Sequence, residues 1–89
     1  MNEPYLEVTY RHGRPLAAYL YLPRRSSDRS HRTEAVAPGI VVDFRHDGRP
    51  IGIEITAPRK VSLAALNRVL RGLGLPPAKR VDLGPLLAA

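Results

Sequence analysis

Residues 37–55 read A-P-G-I-V-V-D-F-R-H-D-G-R-P-I-G-I-E-I. The stretch contains two segments, 40–44 and 51–55, in which every second residue is large and apolar, and Asp47-Gly48 lies between them. Such alternation is typical of a half-buried strand. Asp-Gly between two alternating segments is one of the strongest short hairpin signals. The stretch therefore predicts an antiparallel hairpin with its turn at residues 45–50.

Pro38-Gly39, at the start of this stretch, leaves two interpretations open. The dipeptide is either a tight type II turn between two very short strands or a bend within one long strand over residues 34–44. We favour the bend, because the twist of a type II turn matches hairpin strands poorly. The sequence then predicts four strands rather than five.

A second hairpin is predicted upstream. Residues 5–10 alternate, the turn R-H-G-R-P follows at 11–15, and residues 16–22 form the next strand. Side chains in a strand point alternately to the two faces of the sheet. Tyr19 and Tyr21 are therefore expected on the face opposite to the leucines of the same strand.

The turns of the two hairpins are an internal repeat. R-H-G-R-P and R-H-D-G-R-P each follow an aromatic residue and precede an apolar strand. If residues 34–44 form one strand, both turns lie at the same end of the sheet and their basic side chains converge. If Pro38-Gly39 makes a true hairpin, the turns lie at opposite ends. The candidate contacts to a partner or an anion are Arg11, His12, Arg14, Arg45, His46 and Arg49.

The segment between the two hairpins is basic. Residues 23–32 read P-R-R-S-S-D-R-S-H-R and contain no apolar residue beyond the proline. Such a segment buries too little surface to offset the entropy lost on ordering it. We expect a mobile, exposed loop.

One helix is predicted after the second hairpin. Ser62 is a suitable N-cap, residues 63–73 carry an apolar stripe at helical spacing, and Gly72 and Gly74 are candidate C-caps. The expected fold is therefore α+β: a four-stranded antiparallel β-meander of two hairpins, covered on one face by a single C-terminal helix. This domain spans residues 1–74. The apolar tail, residues 75–89, either packs on its own domain, forms an arm onto a second subunit, or is disordered.

Composition narrows the class of protein only slightly. The chain has no cysteine and a formal charge of +6, and twelve of its fourteen basic residues are arginine. A basic chain attracts nucleic acid or acidic partners, although a GC-rich bacterial genome gives the same composition without selection for function. The longest apolar run, residues 16–22, is too short to span a bilayer, and no signal peptide is indicated. We expect a cytoplasmic protein.

Few residues suggest catalysis. His12 and His46 could be a metal pair, but arginines flank both, and a cation is unfavourable there. Asp43 and Glu54 could act as paired carboxylates, yet no nucleophile pattern, phosphate loop or dinucleotide fingerprint is present. We expect neither an enzyme nor a cofactor. Tyr19 and Tyr21 are candidate stacking residues for nucleic acid, although acidic residues share their face.

The 37–55 stretch resembles a family of very small bacterial proteins of unknown function. The matching residues are Pro38, Gly39, Asp43, Phe44, Asp47, Gly48, Gly52, Ile53, Glu54 and Ile55. The resemblance extends over residues 5–66 and is specific over 37–55. It implies an antiparallel sheet followed by a helix, with no established activity. It also implies an antitoxin-like partner role, because some members look as though they are encoded beside small toxin-like proteins.

These observations rank the functions. The first expectation is a non-enzymatic protein-interaction module that self-associates as a dimer or binds another small protein. Its basis is the small core, an uncovered sheet edge and an apolar tail. The alternative is a basic nucleic-acid-binding protein that uses arginines and the sheet-face tyrosines. An enzyme is the least favoured.

Overall fold

A computed structural model describes residues 5–23, 25 and 27–84 of the chain. The strands are β1 (Tyr5–Arg11), β2 (Arg14–Tyr21), β3 (Arg32–Ala37), β4 (Ile40–Phe44) and β5 (Pro50–Ile55). One α-helix, α1 (Leu63–Gly72), follows them, and short 3₁₀ helices span Pro58–Lys60 and Arg80–Leu83. The predicted α+β class is confirmed for the described residues.

The five strands form one antiparallel sheet in the order β1-β2-β5-β4-β3. The last strand of the sequence, β5, is therefore the central strand, and β1 and β3 are the edges. The β1–β2 and β3–β4 turns lie at one end of the sheet. The β4–β5 turn lies at the other end, together with the segment that carries the chain from β2 to β3.

The predicted bend at Pro38-Gly39 is wrong, and so is the predicted count of four strands. Ala37 pairs with Ile40, so Pro38 and Gly39 between them form a two-residue hairpin turn, with Gly39 at φ 76°. A positive φ at the second central position is the mark of a type II turn. The register also shifts between Ala35 and Ala37. A bulge of this kind increases the local twist of a strand pair, which compensates for the poor twist of the turn.

Apolar side chains on one face of the sheet form the core with α1. Ile53 and Ile55 of β5 are fully buried, as are Ile40 and Val42 of β4. Leu66 and Leu70 place the apolar stripe of α1 against this cluster. The prediction that one helix covers one face is confirmed.

The predicted caps Ser62 and Gly74 are also present, whereas Gly72, the other candidate C-cap, is the last residue of α1 itself. The Ser62 hydroxyl accepts a hydrogen bond from the Ala65 N–H at 3.1 Å. At the other end Gly74 has φ 75°, and the Leu75 and Gly74 N–H groups donate to the carbonyls of Leu70 and Arg71. This pair of bonds is a Schellman motif. It ends the helix and returns the chain toward the core.

The described part of the C-terminal tail packs on its own domain. The Asn67 side chain exchanges two hydrogen bonds with the backbone of Ala78, at 2.7 and 3.1 Å. Leu83 is 2% exposed and belongs to the core cluster. The remaining tail residues, 85–89, lie outside the described residues.

On the face of the sheet that points away from α1, Gly52 is a position where a side chain cannot be accommodated. The Tyr19 ring crosses over Gly52, and a Cβ placed there would lie 1.8 Å from the Tyr19 hydroxyl oxygen and 2.2 Å from Cζ. The Tyr19 hydroxyl reaches past it and donates to Asp43 Oδ2 at 2.7 Å. The absence of a side chain at Gly52 therefore allows a contact between β2 and β4 across β5.

We predict that Gly52→Ala destabilises the fold by about 1–3 kcal/mol, because the Tyr19 ring must move and lose its bond to Asp43. Urea denaturation measures the change. Gly72→Ala is the matched control, since nothing lies within 4 Å of its Cβ position; alanine in the last turn of α1 should be neutral or stabilising. The explanation fails if Gly52→Ala costs the same in a Tyr19→Ala background.

Candidate functional site

The structure separates the two basic turns. Arg11, His12 and Arg14 lie at the β1–β2 end of the sheet. Arg45, His46 and Arg49 lie at the opposite end, in the β4–β5 turn. The convergence that one long strand would have produced does not occur, because the Pro38-Gly39 hairpin reverses the direction of the chain once more. A role for these six residues in binding a partner or an anion stays a prediction.

The repeated sequences also fold differently. In the first turn, His12 and Gly13 both have positive φ, 53° and 76°, as a two-residue type I′ turn requires. In the second turn, Gly48 has φ 89° and donates its N–H to the Arg45 carbonyl at 3.0 Å. The additional residue, Asp47, accepts the Arg49 N–H at 3.1 Å. This hydrogen bond, with the nearby Arg45 and Arg49 charges, holds the pKa of Asp47 below its usual 3.8.

Asp28 is the buried acidic residue of the basic loop. It ion-pairs with Arg45 at 3.0 Å and also with Arg49, and it accepts the Arg25 N–H at 2.9 Å. The side chain of Asp28 is 3% exposed. The expectation of an exposed loop is therefore wrong for this residue, although mobility of the loop stays a prediction. Two of the candidate anion-binding arginines thus hold the loop against the second turn.

A shallow cleft of about 320 Å³ opens beside this ion-pair cluster. Arg25, Arg29, His31 and His46 contribute to its lining. The His31 and His46 rings meet edge to face, with centroids 6.5 Å apart. The backbone N–H of His31 donates to the Phe44 carbonyl at 2.8 Å, which fixes the main chain at this residue. His46 therefore has His31 as its neighbour, whereas the sequence had suggested His12.

Tyrosines and a carboxylate cover the face of the sheet opposite to α1, here called the open face. Tyr21 stacks on Tyr5, with centroids 4.5 Å apart, and meets the edge of Tyr19 at 4.7 Å. Asp43 accepts the Tyr19 hydroxyl at Oδ2 and the Thr33 hydroxyl at Oδ1, the latter at 2.9 Å. The predicted stacking residues are thus packed against each other. Asp43 uses both oxygens to join β2 to β3.

The backbone at the sheet edges is the remaining candidate surface. The Thr56 N–H donates to the Gly39 carbonyl, and hydrogen-bonded pairs alternate along antiparallel strands. Val41 and Asp43 therefore direct their backbone groups to β5, and Val42 and Phe44 direct theirs to β3.

The same alternation applies to the edge strand β3. Arg32 and Glu34 pair with Phe44 and Val42, so their backbone groups face β4. The N–H and C=O of Thr33 and Ala35 consequently point outward, where no described strand lies. Sequence reasoning expected an uncovered sheet edge but did not locate it on β3, because the location depends on the strand order.

Two further features are absent from the described residues. Over 5–23, 25 and 27–84, no group of three or more His, Asp or Glu side chains is placed to hold a metal ion. In the same part of the chain, no helix has the length and apolar character needed to cross a membrane.

We predict that Asp28→Asn lowers the free energy of unfolding by about 1–3 kcal/mol, because two arginines lose their buried acceptor. The cost should stay below that of a fully buried pair, since the side chains of Arg45 and Arg49 are 24% and 43% exposed and can turn to water. Denaturant titration measures it. The control is Asp47→Asn, because Asp47 is an exposed carboxylate in the turn that carries Arg45 and Arg49. This variant should change the free energy of unfolding little. Equal effects of the two variants would contradict the conclusion that the ion pairs of Asp28 hold the loop against the second turn.

The family comparison covers most of this sheet. Residues 17–57 match the model of a family described as Protein of unknown function (DUF2283). No curated protein and no solved structure matches the chain. The expected similarity to a family of unknown function is confirmed at that level, while the ten-residue signature stays a prediction. From within β2 through β5, which includes Tyr19, Asp28, Thr33 and Gly52, the chain is similar to this family.

Proposed function

We propose that this chain is a non-enzymatic protein-interaction module that binds its partner by strand addition at β3. The partner is a second copy of the chain or another small protein. The observation that carries the proposal is the pair of outward-facing backbone positions, Thr33 and Ala35, on an edge strand whose side chains are exposed from Arg32 to Val36.

The main chain of β3 supplies the binding energy in this proposal. Two N–H and two C=O groups face away from β4, and no described strand lies on that side of β3. Strand addition gives each of them a protein partner, and side chains on either face then select which strand is accepted. A domain of 89 residues has a small core, so an added strand also extends a sheet of limited area.

The ends of β3 limit what can be added. A register shift lies between Ala35 and Ala37, and Pro38 follows at the turn. Charges, bulges and prolines are the usual means of preventing indiscriminate pairing at an edge. Here they leave residues 32–35 regularly paired with β4 and exposed. The edge therefore accepts a short strand with a matching pattern and rejects long unspecific ones.

The open face supports an interaction role better than the two alternatives. Both oxygens of Asp43 accept intramolecular hydrogen bonds, which favours a structural role over acid–base work. Glu7 and Glu54 share that face and would repel phosphates. At the basic end, Arg45 and Arg49 are paired with Asp28. We therefore place nucleic-acid binding and catalysis behind protein binding.

Ala35→Pro tests the proposal, because proline removes the outward N–H and leaves the ladder between β3 and β4 intact. We expect association with the partner, a second copy or another protein, to be lost, while the free energy of unfolding changes by less than about 1 kcal/mol. Light scattering and sedimentation report self-association, and affinity capture followed by titration of the purified partner reports the other case.

Ala35→Gly is the matched control, since it alters the same small side chain but keeps the N–H. It should bind as the unmodified chain does. The proposal is wrong if Ala35→Pro and Ala35→Gly associate equally well, or if the unmodified chain neither self-associates nor retains any protein.

A further inference from the structure

We infer that the strand added to β3 is β3 of a second copy, paired antiparallel about a two-fold axis at Thr33. The inference rests on the proposed function and specifies its partner and register. Its basis is the order of charges along β3, R-T-E-A-V-A over residues 32–37, combined with the outward direction of the Thr33 and Ala35 backbone.

The backbone allows few registers. Hydrogen-bonded pairs across the new junction must join residues whose N–H and C=O point outward, which restricts them to Thr33 and Ala35. A register that pairs Thr33 with Ala35 of the other copy brings Glu34 opposite Glu34, and like charges directly opposite are destabilising. A register centred on Ala35 runs into the Val36 bulge and Pro38. Pairing of Thr33 with Thr33 avoids both difficulties. It places Ala35 opposite His31 of the other copy, whose N–H already donates to the Phe44 carbonyl, so the Thr33 pair is the fully hydrogen-bonded one.

This register is self-complementary in charge. With Thr33 on the axis, Arg32 of each copy lies opposite Glu34 of the other, so two ion pairs form by symmetry. These are non-hydrogen-bonded pairs, in which facing Cα atoms approach to about 4.5 Å and side chains meet most closely. The two-fold relation closes the assembly at two copies. Two five-stranded sheets become one continuous sheet.

The two charged side chains are available for this exchange. Arg32 and Glu34 form an ion pair at 3.7 Å within the strand, and their side chains are 58% and 56% exposed. The Arg32 guanidinium also lies 4.5 Å from the centroid of the Phe44 ring. An exposed intrastrand pair at this distance contributes little. Both groups can therefore turn to the second copy at little cost.

The other edge offers no equivalent pattern. The alternation that directs Thr33 outward also directs Leu6 and Val8 of β1 outward. Pairing two β1 strands about Leu6 or Val8 places Glu7 opposite Tyr5 or Thr9, and pairing about Glu7 opposes two carboxylates. Pairing about Thr9 does place Glu7 opposite Arg11, but this register runs across the register shift between Thr9 and Tyr10. The charge pattern favours β3.

Charge exchange at positions 32 and 34 tests the inference. Arg32→Glu and Glu34→Arg each replace two attractive pairs with two repulsive ones, and each should weaken the dimer about 30-fold, equivalent to about 2 kcal/mol at roughly 1.4 kcal/mol per tenfold. The double variant restores opposite charges and should recover most of the affinity. An equimolar mixture of the two single variants should form a mixed dimer. Sedimentation equilibrium measures all four.

The outcomes separate the inference from the proposed function. Loss in the single variants with recovery in the double variant and in the mixture supports the Thr33 register, since a general loss of stability would not be reversed by mixing. Self-association that ignores these charges but is lost in Ala35→Pro overturns the register and leaves the proposed function standing. A chain that stays monomeric at all concentrations overturns the inference. Capture of another protein, sensitive to Ala35→Pro, would then preserve the proposed function.

Discussion

The sheet depends on β5, the strand that enters it last in sequence and lies at its centre. Its backbone groups alternate between two neighbours: the Leu22 N–H donates to the Ile51 carbonyl, whereas the Thr56 N–H donates to the Gly39 carbonyl. Once these two bonds are set, alternation determines which residues of every other strand face inward or outward along the hydrogen-bonding direction. The outward positions on β3 therefore follow from bonds made two strands away.

Asp28 is what lets the chain reach that edge. After β2 the chain must pass the ends of β5 and β4 before it can begin β3, and beyond Leu22 and Pro23 this crossing segment has no apolar side chain to hold it. A single buried carboxylate, paired with Arg45 and Arg49 of the intervening turn, takes the place of an apolar anchor. A buried charge persists only when its partners are in place. The position of β3 and the conformation of the second turn are consequently coupled.

Local sequence signals predicted the local structure well. Alternation and Asp47-Gly48 indicated the second hairpin, and Ser62 with the glycines after residue 71 indicated the limits of α1. The error at Pro38-Gly39 had a physical cause, since the twist penalty of the turn is offset by a bulge at Val36 that no turn residue announces. Asp28 was missed for a related reason: its partners lie 17 and 21 residues away. The one acidic residue among basic neighbours was the available signal.

The open face and the candidate edge are parts of one structure. Because Gly52 has no side chain, Tyr19 crosses β5 and binds Asp43, and the second oxygen of Asp43 holds the Thr33 hydroxyl. A chain of contacts thus runs from β2 to the residue at the centre of the free edge. Strand addition costs less entropy when the receiving strand is already held straight. In the proposed strand addition, the tyrosine face, whose rings are packed against each other, would therefore contribute indirectly, by fixing Thr33.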